Sequence, residues 1–215
     1  KATKNKLHQV AGAYFPERPG YAHQLAELAQ AATPAARAEV CRTILAQHAS
    51  TRERLPILDR FYTTLFADLP PIRSILDLAC GLNPLARPWM PLPPDAVYYA
   101  CDIFQDQVDF LNACFALLDM PGAAAVCDLL SGAPPQAADA ALLLKMLPCL
   151  EQADKGSAPR LLAQIAAPVV FVSYPAQSLG RRAKGMATNY AAHFAALAEG
   201  QPWTVTRYDF PGELV

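Results

Sequence analysis

From residue 72 onward, short apolar runs alternate with helix-like stretches. The runs are SILDLA (74–79), AVYYACD (96–102), AAAVCD (123–128), AALLLK (140–145) and PVVFVSYP (168–175), with QDQVDFLNACFALLDM (105–120) and SAPRLLAQIA (157–166) among the segments between them. Apolar runs of this length, without strict alternation, suit strands buried on both faces. Helical segments between them provide the crossovers that parallel strands require. The pattern predicts an α/β fold, Rossmann-like, with a mostly parallel sheet covered by helices on both sides. An Ala-rich helix (187–199), a strand over WTVTRYDF (203–210) and a strand-like stub, GELV, should follow.

The first seventy residues read differently. YAHQLAELAQA (21–31) and PAARAEVCRTILAQHA (34–49) space their apolar residues three and four apart, and the second opens on a proline suited to a first helical turn. In HASTRERLPILDRFYTTLF, Ser50 and Glu53 match a capping box, and Leu55, Leu58, Phe61, Tyr62 and Leu65 form a predicted buried stripe. Pro56 removes a helical hydrogen bond, so a kink or late start is expected there. The expected organisation is a helical domain over residues 1–70 and an α/β domain over 71–215. Further sequence is expected at both ends, because the first residue is not methionine and the last strand is short.

A chain of 215 residues that is 53% hydrophobic and 17% charged can bury a sizeable core and is not disordered. No apolar run is long enough to span a bilayer, and the basic start KATKNKLHQV lacks the apolar core of a secretory signal. The six cysteines stand singly, without a C-x-x-C pair or a nearby histidine pair. They are expected to be reduced, buried thiols of a cytoplasmic protein, with no zinc site and no bound metal. The net charge of −1 conceals a basic head (residues 1–60, +4), an acidic middle (61–176, −6) and a basic late cluster of Arg181, Arg182 and Lys184. Such a distribution suits a polyanion held from two sides, although ordinary surface scatter would produce it too.

Ligands of open parallel sheets bind at the carboxyl ends of the strands, near the switch in strand order. The first predicted strand ends at Ala79-Cys80-Gly81, the second at Asp102 and the third at Asp128-Leu129. A glycine turn lets backbone amides approach a ligand. An acid after the second strand is placed to accept ribose hydroxyls, and Asp128-Leu129 offers a polar contact and an apolar wall to adenine. Any one of these acids could instead be a helix cap. The fingerprints G-x-G-x-x-G and G-x-x-x-x-G-K-[ST] are absent, so pyrophosphate recognition is poorly served. A cofactor with ribose and adenine but no phosphate fits better, S-adenosyl-L-methionine being the common one. Asp77, inside the first strand, could hold the polar end of that cofactor or brace the turn.

The stretches D-L-A-C-G-L-N-P-L-A (77–86), H-A-S-T-R-E-R-L (48–55), K-M-L-P-C-L-E (145–151) and S-Y-P-A-Q-S-L-G-R-R-A-K-G-M…N-Y (173–190) occur in order and at compatible spacing. Together they resemble the aminoglycoside-resistance 16S rRNA (guanine-1405, N7) methyltransferases, the Arm family, from about Tyr14 to the C-terminus. The resemblance implies a class I S-adenosylmethionine-dependent methyltransferase fold behind an N-terminal helical domain that binds rRNA. It implies methylation of one guanine N7 in the decoding site of the assembled 30S subunit, with aminoglycoside resistance as the result and S-adenosyl-L-homocysteine as product. His48, Ala49, Ser50 and Arg54 would then reach the methionine end, with Arg54 pairing its carboxylate. Ala79 and Gly81 would line the turn, Asp102 hold the ribose, and Asp128 and Leu129 frame the adenine. Leu144 would lie beneath the cofactor, Tyr14 close over it, and Gln152 supply the glutamine that follows the L-P-x-L-E stretch.

Guanine N7 carries a lone pair and no proton, so the reaction needs alignment rather than a general base, and no catalytic acid or base is assigned. Turning the base outward would cost about a few kcal/mol. Phosphate contacts are expected from Arg181, Arg182 and Lys184, helped by Lys6, Arg18, Arg37 and Arg42, with Asn189 or Tyr190 touching the base. The expected partner is 16S rRNA within the 30S subunit, with no DNA or membrane and with the enzyme a monomer. Methylation of another rRNA atom such as adenine N1, methylation of a small molecule, and an inactive cofactor-binding module on the ribosome are the alternatives.

Overall fold

The computed structural model describes residues 20–176 and 186–215. Among these residues four short helices come first: α1 (Tyr21–Gln30), α2 (Pro34–Leu45), α3 (Ala49–Arg54) and α4 (Leu58–Phe66). Strand β1 (Ser74–Leu78) follows, and after a 3₁₀ segment (Asn83–Trp89) come β2 (Val97–Asp102), α5 (Gln105–Leu117), β3 (Gly122–Val126) and β4 (Ala140–Leu144). The chain continues through α6 (Leu147–Ala153), α7 (Ser157–Leu162), β5 (Val169–Pro175), α8 (Met186–Ala198), β6 (Asp209–Phe210) and β7 (Glu213–Leu214). The sheet order is β3-β2-β1-β4-β5-β7-β6, parallel through β5, with β7 antiparallel to β5 and β6. Strand order reverses between β1 and β4, so the carboxyl ends of these two strands flank the switch point at which such sheets bind ligands.

All five apolar runs became parallel strands, each within two residues of its expected ends. Side chains of β1 point alternately into two cores. Ile75 joins Tyr98, Phe110 and Leu111 on one face, while Leu76 and Leu78 join Leu143, Leu147 and Leu161 on the other. The first of these cores also takes in Leu28, Cys41, Ile44, Phe61 and Leu65, so helices α1–α4 pack into the same apolar body as one face of the sheet.

Three local expectations require correction. Ser50 and Glu53 do not form a capping box: α3 begins at Ala49 with His48 as its cap residue, and no side chain caps it. Thr51 Oγ1 instead donates to the carbonyls of Leu45 (2.6 Å) and His48 (3.1 Å), which ties α3 to the end of α2 and leaves Ser50 inside the first turn. Glu53 points away to Lys145. Of the strand expected over 203–210, only Asp209–Phe210 forms, in a hairpin with Glu213–Leu214. Trp203 and Val205 stay exposed, because alternating apolar residues make a strand only where a neighbour and a core are present. Finally, β3 stops at Val126, and Asp128 sits in the turn beyond, its Oδ1 accepting from the Leu130 amide at 3.1 Å. Pro56 has the anticipated effect: Leu55–Ile57 tightens into a 3₁₀ turn between α3 and α4.

Candidate functional site

The turn after β1 is built from beneath. Asp77 is 1% exposed; its Oδ2 accepts from Tyr98 OH (2.7 Å) and Asn83 Nδ2 (2.9 Å). Asn83 Oδ1 in turn accepts from Tyr62 OH (2.5 Å) and Arg54 Nη1 (2.8 Å). Of the two roles open to Asp77, bracing the turn is the one its contacts serve. Burial drives its carboxyl up to about 6, against the hydrogen bonds from Asn83 and Tyr98.

That platform holds two departures from ordinary backbone, on either side of Cys80. Ala79 and Gly81 have φ of 50° and 53°, and a methylene on Gly81 would lie 2.9 Å from the His48 ring. Glycine is favoured at 81 because the left-handed conformation and the close His48 ring act together, whereas Ala79 meets only the first of these. Across the switch point, Lys145 at the end of β4 also adopts a left-handed φ of 60°. Non-glycine residues in that region are uncommon and cluster where a site dictates the backbone.

Above these turns the strand ends open into one cleft. Its floor and walls include Ala79 and Gly81 after β1, Asp102 and Ile103 after β2, Cys127 and Leu129 after β3, and Leu144 and Lys145 at β4. His48 and Ser50 enter from α3, Gln107 from α5, and Cys149 and Leu150 from α6. Asp102 is 8% exposed; its Oδ2 accepts from the Gly81 amide (2.9 Å) and its Oδ1 from the Ile103 amide (2.7 Å). Burial raises the affinity of Asp102 for a proton, and these backbone donors oppose that shift. Each carboxylate oxygen keeps further acceptor capacity for a ligand hydroxyl.

His48 Nδ1 lies 3.0 Å from Ser50 Oγ. Its imidazole is pushed down to about 4, first by burial and then by the charges of Arg54, Lys145 and Arg52, so it is neutral at physiological pH. The Cys127 thiol is held below the usual thiol range chiefly by a hydrogen bond with Cys101, against the effect of burial. All six cysteines are free, and among the described residues no cluster of His, Cys, Asp or Glu could hold a metal ion.

Of the residues expected at the cofactor, His48, Ser50, Ala79, Gly81, Asp102, Leu129 and Leu144 converge on this cleft. Four do not line it. Ala49 is buried in α3, Asp128 sits in the turn beyond β3 with its Oδ1 engaged by the Leu130 amide, and Gln152 lies in another, open groove with Glu151 and His193. Arg54, expected to pair a ligand carboxylate, is instead 2% exposed beneath the platform. Its Nε and Nη2 donate to Glu213 at 3.1 and 2.7 Å. Among the described residues the cation that lines the cleft is Lys145, which was not among the expected site residues. A lysine directly after a fully apolar strand, within the K-M-L-P-C-L-E stretch, was the available signal.

Tyr14, Lys6, Arg18, Arg181, Arg182 and Lys184 lie outside the described residues. Arg37 and Arg42 are half-buried on α2; Arg37 meets Asp119 and Arg42 meets Asp59, each at 3.4 Å, and Arg42 covers the Trp89 ring. Asn189 is exposed on α8, whereas Tyr190 stacks on Tyr174 with ring centres 4.8 Å apart.

A cleft at the switch point of this strand order, walled by a glycine turn and a ribose-competent acid, with an antiparallel β7 inserted between β5 and β6, fits the class I S-adenosylmethionine-dependent methyltransferases. Within that class the chain belongs to the family described as Ribosomal RNA methyltransferase (FmrO), which matches residues 1–215. It is 43% identical over 220 residues to a 16S rRNA (guanine(1405)-N(7))-methyltransferase of Frankia casuarinae, covering 100% of this chain and 78% of that protein. A Micromonospora rosea protein of the same description is 39% identical over 219 residues, with 100% and 80% covered. Among solved structures, 16S rRNA methyltransferase RmtF in complex with S-adenosyl-L-homocysteine superposes with a TM-score of 0.81. The two share 34% identity, over 99% of this chain and 80% of that one.

Proposed function

We propose that this enzyme transfers a methyl group from S-adenosylmethionine to N7 of the 16S rRNA guanine at position 1405, in the assembled 30S subunit, and so confers aminoglycoside resistance. The observation that carries the reading is the convergence of Gly81, Asp102, Leu129 and Leu144 on one cleft at the switch point. The names of the relatives supply the target atom. We place the enzyme in the cytoplasm as a monomer, with residues 1–70 as an rRNA-binding helical domain and 71–215 as the methyltransferase domain. No helix among the described residues is long and apolar enough to cross a membrane.

The cleft's chemistry fits an adenosyl group bearing a methionine arm. Asp102, already fixed by two backbone amides, would accept ribose hydroxyls, and the half-buried Asp128 would face the adenine edge from the turn above Leu129. Leu129 and Leu144 offer apolar walls to the purine, and the open backbone at Ala79–Gly81 admits the chain of the ligand. His48 and Ser50 would hold the methionine arm, and the neutral imidazole would add no positive charge beside it. When bound, S-adenosylmethionine supplies an electrophilic methyl on a sulfonium. The protein's part is to hold the guanine so that N7, methyl carbon and sulfur fall in line, and to exclude water. No side chain has to remove a proton. Arg37 and Arg42, together with Lys6, Arg18, Arg181, Arg182 and Lys184, are proposed to contact phosphates, with Asn189 or Tyr190 next to the base.

The test is transfer of a radiolabelled methyl group to 30S subunits, naked 16S rRNA and small-molecule pools in parallel. Primer extension after borohydride–aniline cleavage then maps the modified base. Labelling of 30S subunits with cleavage at the expected guanine supports the proposal. Labelling of naked RNA or small molecules while 30S subunits stay unlabelled refutes it.

A further inference from the structure

The last strand, β7, brings a carboxylate under the cleft. Glu213 is 2% exposed, and its Oε1 accepts from Ser173 Oγ (2.6 Å) and Arg54 Nη2 (2.7 Å). Its Oε2 accepts from Arg54 Nε (3.1 Å) and stands 3.3 Å from Lys145 Nζ. Lys145 Nζ also lies 2.8 Å from Glu53 and 3.3 Å from the Ser50 carbonyl. The cluster thus pairs two buried cations with two acids, only one of which is fully shielded, since the Glu53 side chain is 37% exposed and screened by water. Burial alone would favour protonation of Glu213, but Arg54 and Lys145 outweigh it and keep the carboxylate ionised.

The position of this cluster matters because Lys145 and Ser50 line the cleft while Glu213 lies behind them. Methyl transfer changes the charge of the bound molecule by one unit. The reactant carries a sulfonium, an ammonium and a carboxylate, whereas the product retains only the last two, around a neutral thioether. Surplus positive potential beside the sulfonium would therefore penalise the reactant relative to the product.

We infer that Glu213 is an electrostatic positioning residue. By neutralising and holding Lys145 and Arg54, it lets the cleft accept a sulfonium ligand without repulsion and so sets the preference between cofactor and spent product. This rests on the cleft being the cofactor site. Asp77 and Asp102 also add negative charge nearby, but they are the same in every comparison below except where Asp102 is itself replaced.

Calorimetric affinities for S-adenosylmethionine and S-adenosylhomocysteine, at low ionic strength, test the inference. In Glu213→Gln the ratio of the two dissociation constants should move about threefold to tenfold against the sulfonium ligand. Adding Lys145→Gln, which restores the charge count, should return the ratio towards the wild-type value. Contacts to ribose, adenine and carboxylate are common to both ligands and cancel in this ratio, so a purely structural lesion would weaken both equally. Equal weakening, or no recovery in the double variant, overturns the inference.

If Glu213→Gln does not fold, Glu53→Gln removes a charge from the same ammonium at a more exposed position. It should shift the ratio in the same direction by a smaller factor, and an unchanged ratio there is equally fatal. Asp102→Ala separates the two levels of the argument. Weakening of both ligands by that variant, with a flat ratio in Glu213→Gln, removes the charge inference alone. Undiminished affinity in Asp102→Ala removes the cleft assignment and the inference with it.

Discussion

Asp77 and Asp102 are the same residue type on neighbouring strands of one sheet, yet they serve opposite regions of the molecule. Below the β1 turn, Asp77 belongs to a closed lattice in which Tyr62, Asn83, Tyr98, Arg54 and Glu213 satisfy one another. Above it, Asp102 belongs to an open rim in which backbone amides fix the carboxylate and leave it acceptor capacity facing a cleft. The lower region keeps its shape because its polar atoms are used up. The upper one can bind because its polar atoms are held but not exhausted. Perturbing the lower region should therefore cost stability first, and perturbing the upper one should cost affinity first.

The largest effect is expected from breaking the lattice. Arg54→Met leaves Glu213 and Asn83 with lost partners in a buried setting and should lower unfolding free energy by about 3–5 kcal/mol in urea melts. A loss below ~1 kcal/mol would mean that the lattice is not the closed unit its distances describe. Next, Asp102→Ala should weaken S-adenosylmethionine binding by about ten- to a hundredfold, roughly 1.4–2.8 kcal/mol, through loss of acceptors for the ribose. Its melting transition should change less than that of Arg54→Met. The reverse ordering of the two variants would dissolve the contrast between the regions.

The open rim was the more legible of the two in the sequence. Apolar runs announced the strands, and a glycine turn and an acid at consecutive strand ends are local signals that survive without knowledge of partners. The lattice was not legible in this way. Arg54 and Glu213 are 159 positions apart, and nothing near either residue indicates that they will meet. Only the resemblance gives Arg54 a partner, a ligand carboxylate, and Ser50 with Glu53 matches a cap because the capping pattern is short-range. Lys145 escaped the residue-by-residue reading for the same reason: its meaning depends on Glu213 and Glu53, which arrive from β7 and α3. Trp203 and Val205 show the converse error, in which a strand-like pattern without a neighbouring strand produced no strand.

A smaller effect should distinguish two thiols in the cleft wall. Cys127 is half-exposed and its thiol is held below the usual range by Cys101, whereas Cys149 on the facing wall is 5% exposed. Iodoacetamide at neutral pH should alkylate Cys127 before any other cysteine of the described residues, as read by peptide mass mapping. Saturating S-adenosylhomocysteine should slow that reaction, because Cys127 borders the same space. Equal labelling with and without the ligand would place the ligand elsewhere.

The comparison is sharpened last by pH, because His48 sits between the two regions. Its folded-state value of about 4 lies below its ordinary 6.5, so it contributes stability that is present above pH 6.5 and is lost as pH falls towards 4. Asp77 runs in the other direction. Its folded value of about 6 lies above the ordinary 3.8, so its contribution is full below 3.8 and disappears as pH rises through 6. In the wild-type protein the two therefore oppose each other over the same acid window. His48→Asn should remove the loss on the histidine side, worth about 2–3 kcal/mol at most, and leave stability flat or rising between pH 6.5 and 4. Asp77→Asn should do the opposite and steepen the acid loss, since only the histidine term then remains. Denaturation series across that range, run on both variants, would show whether the histidine and the aspartate titrate against each other. Parallel slopes in the two variants would mean that neither group is held in the protonation state its burial dictates.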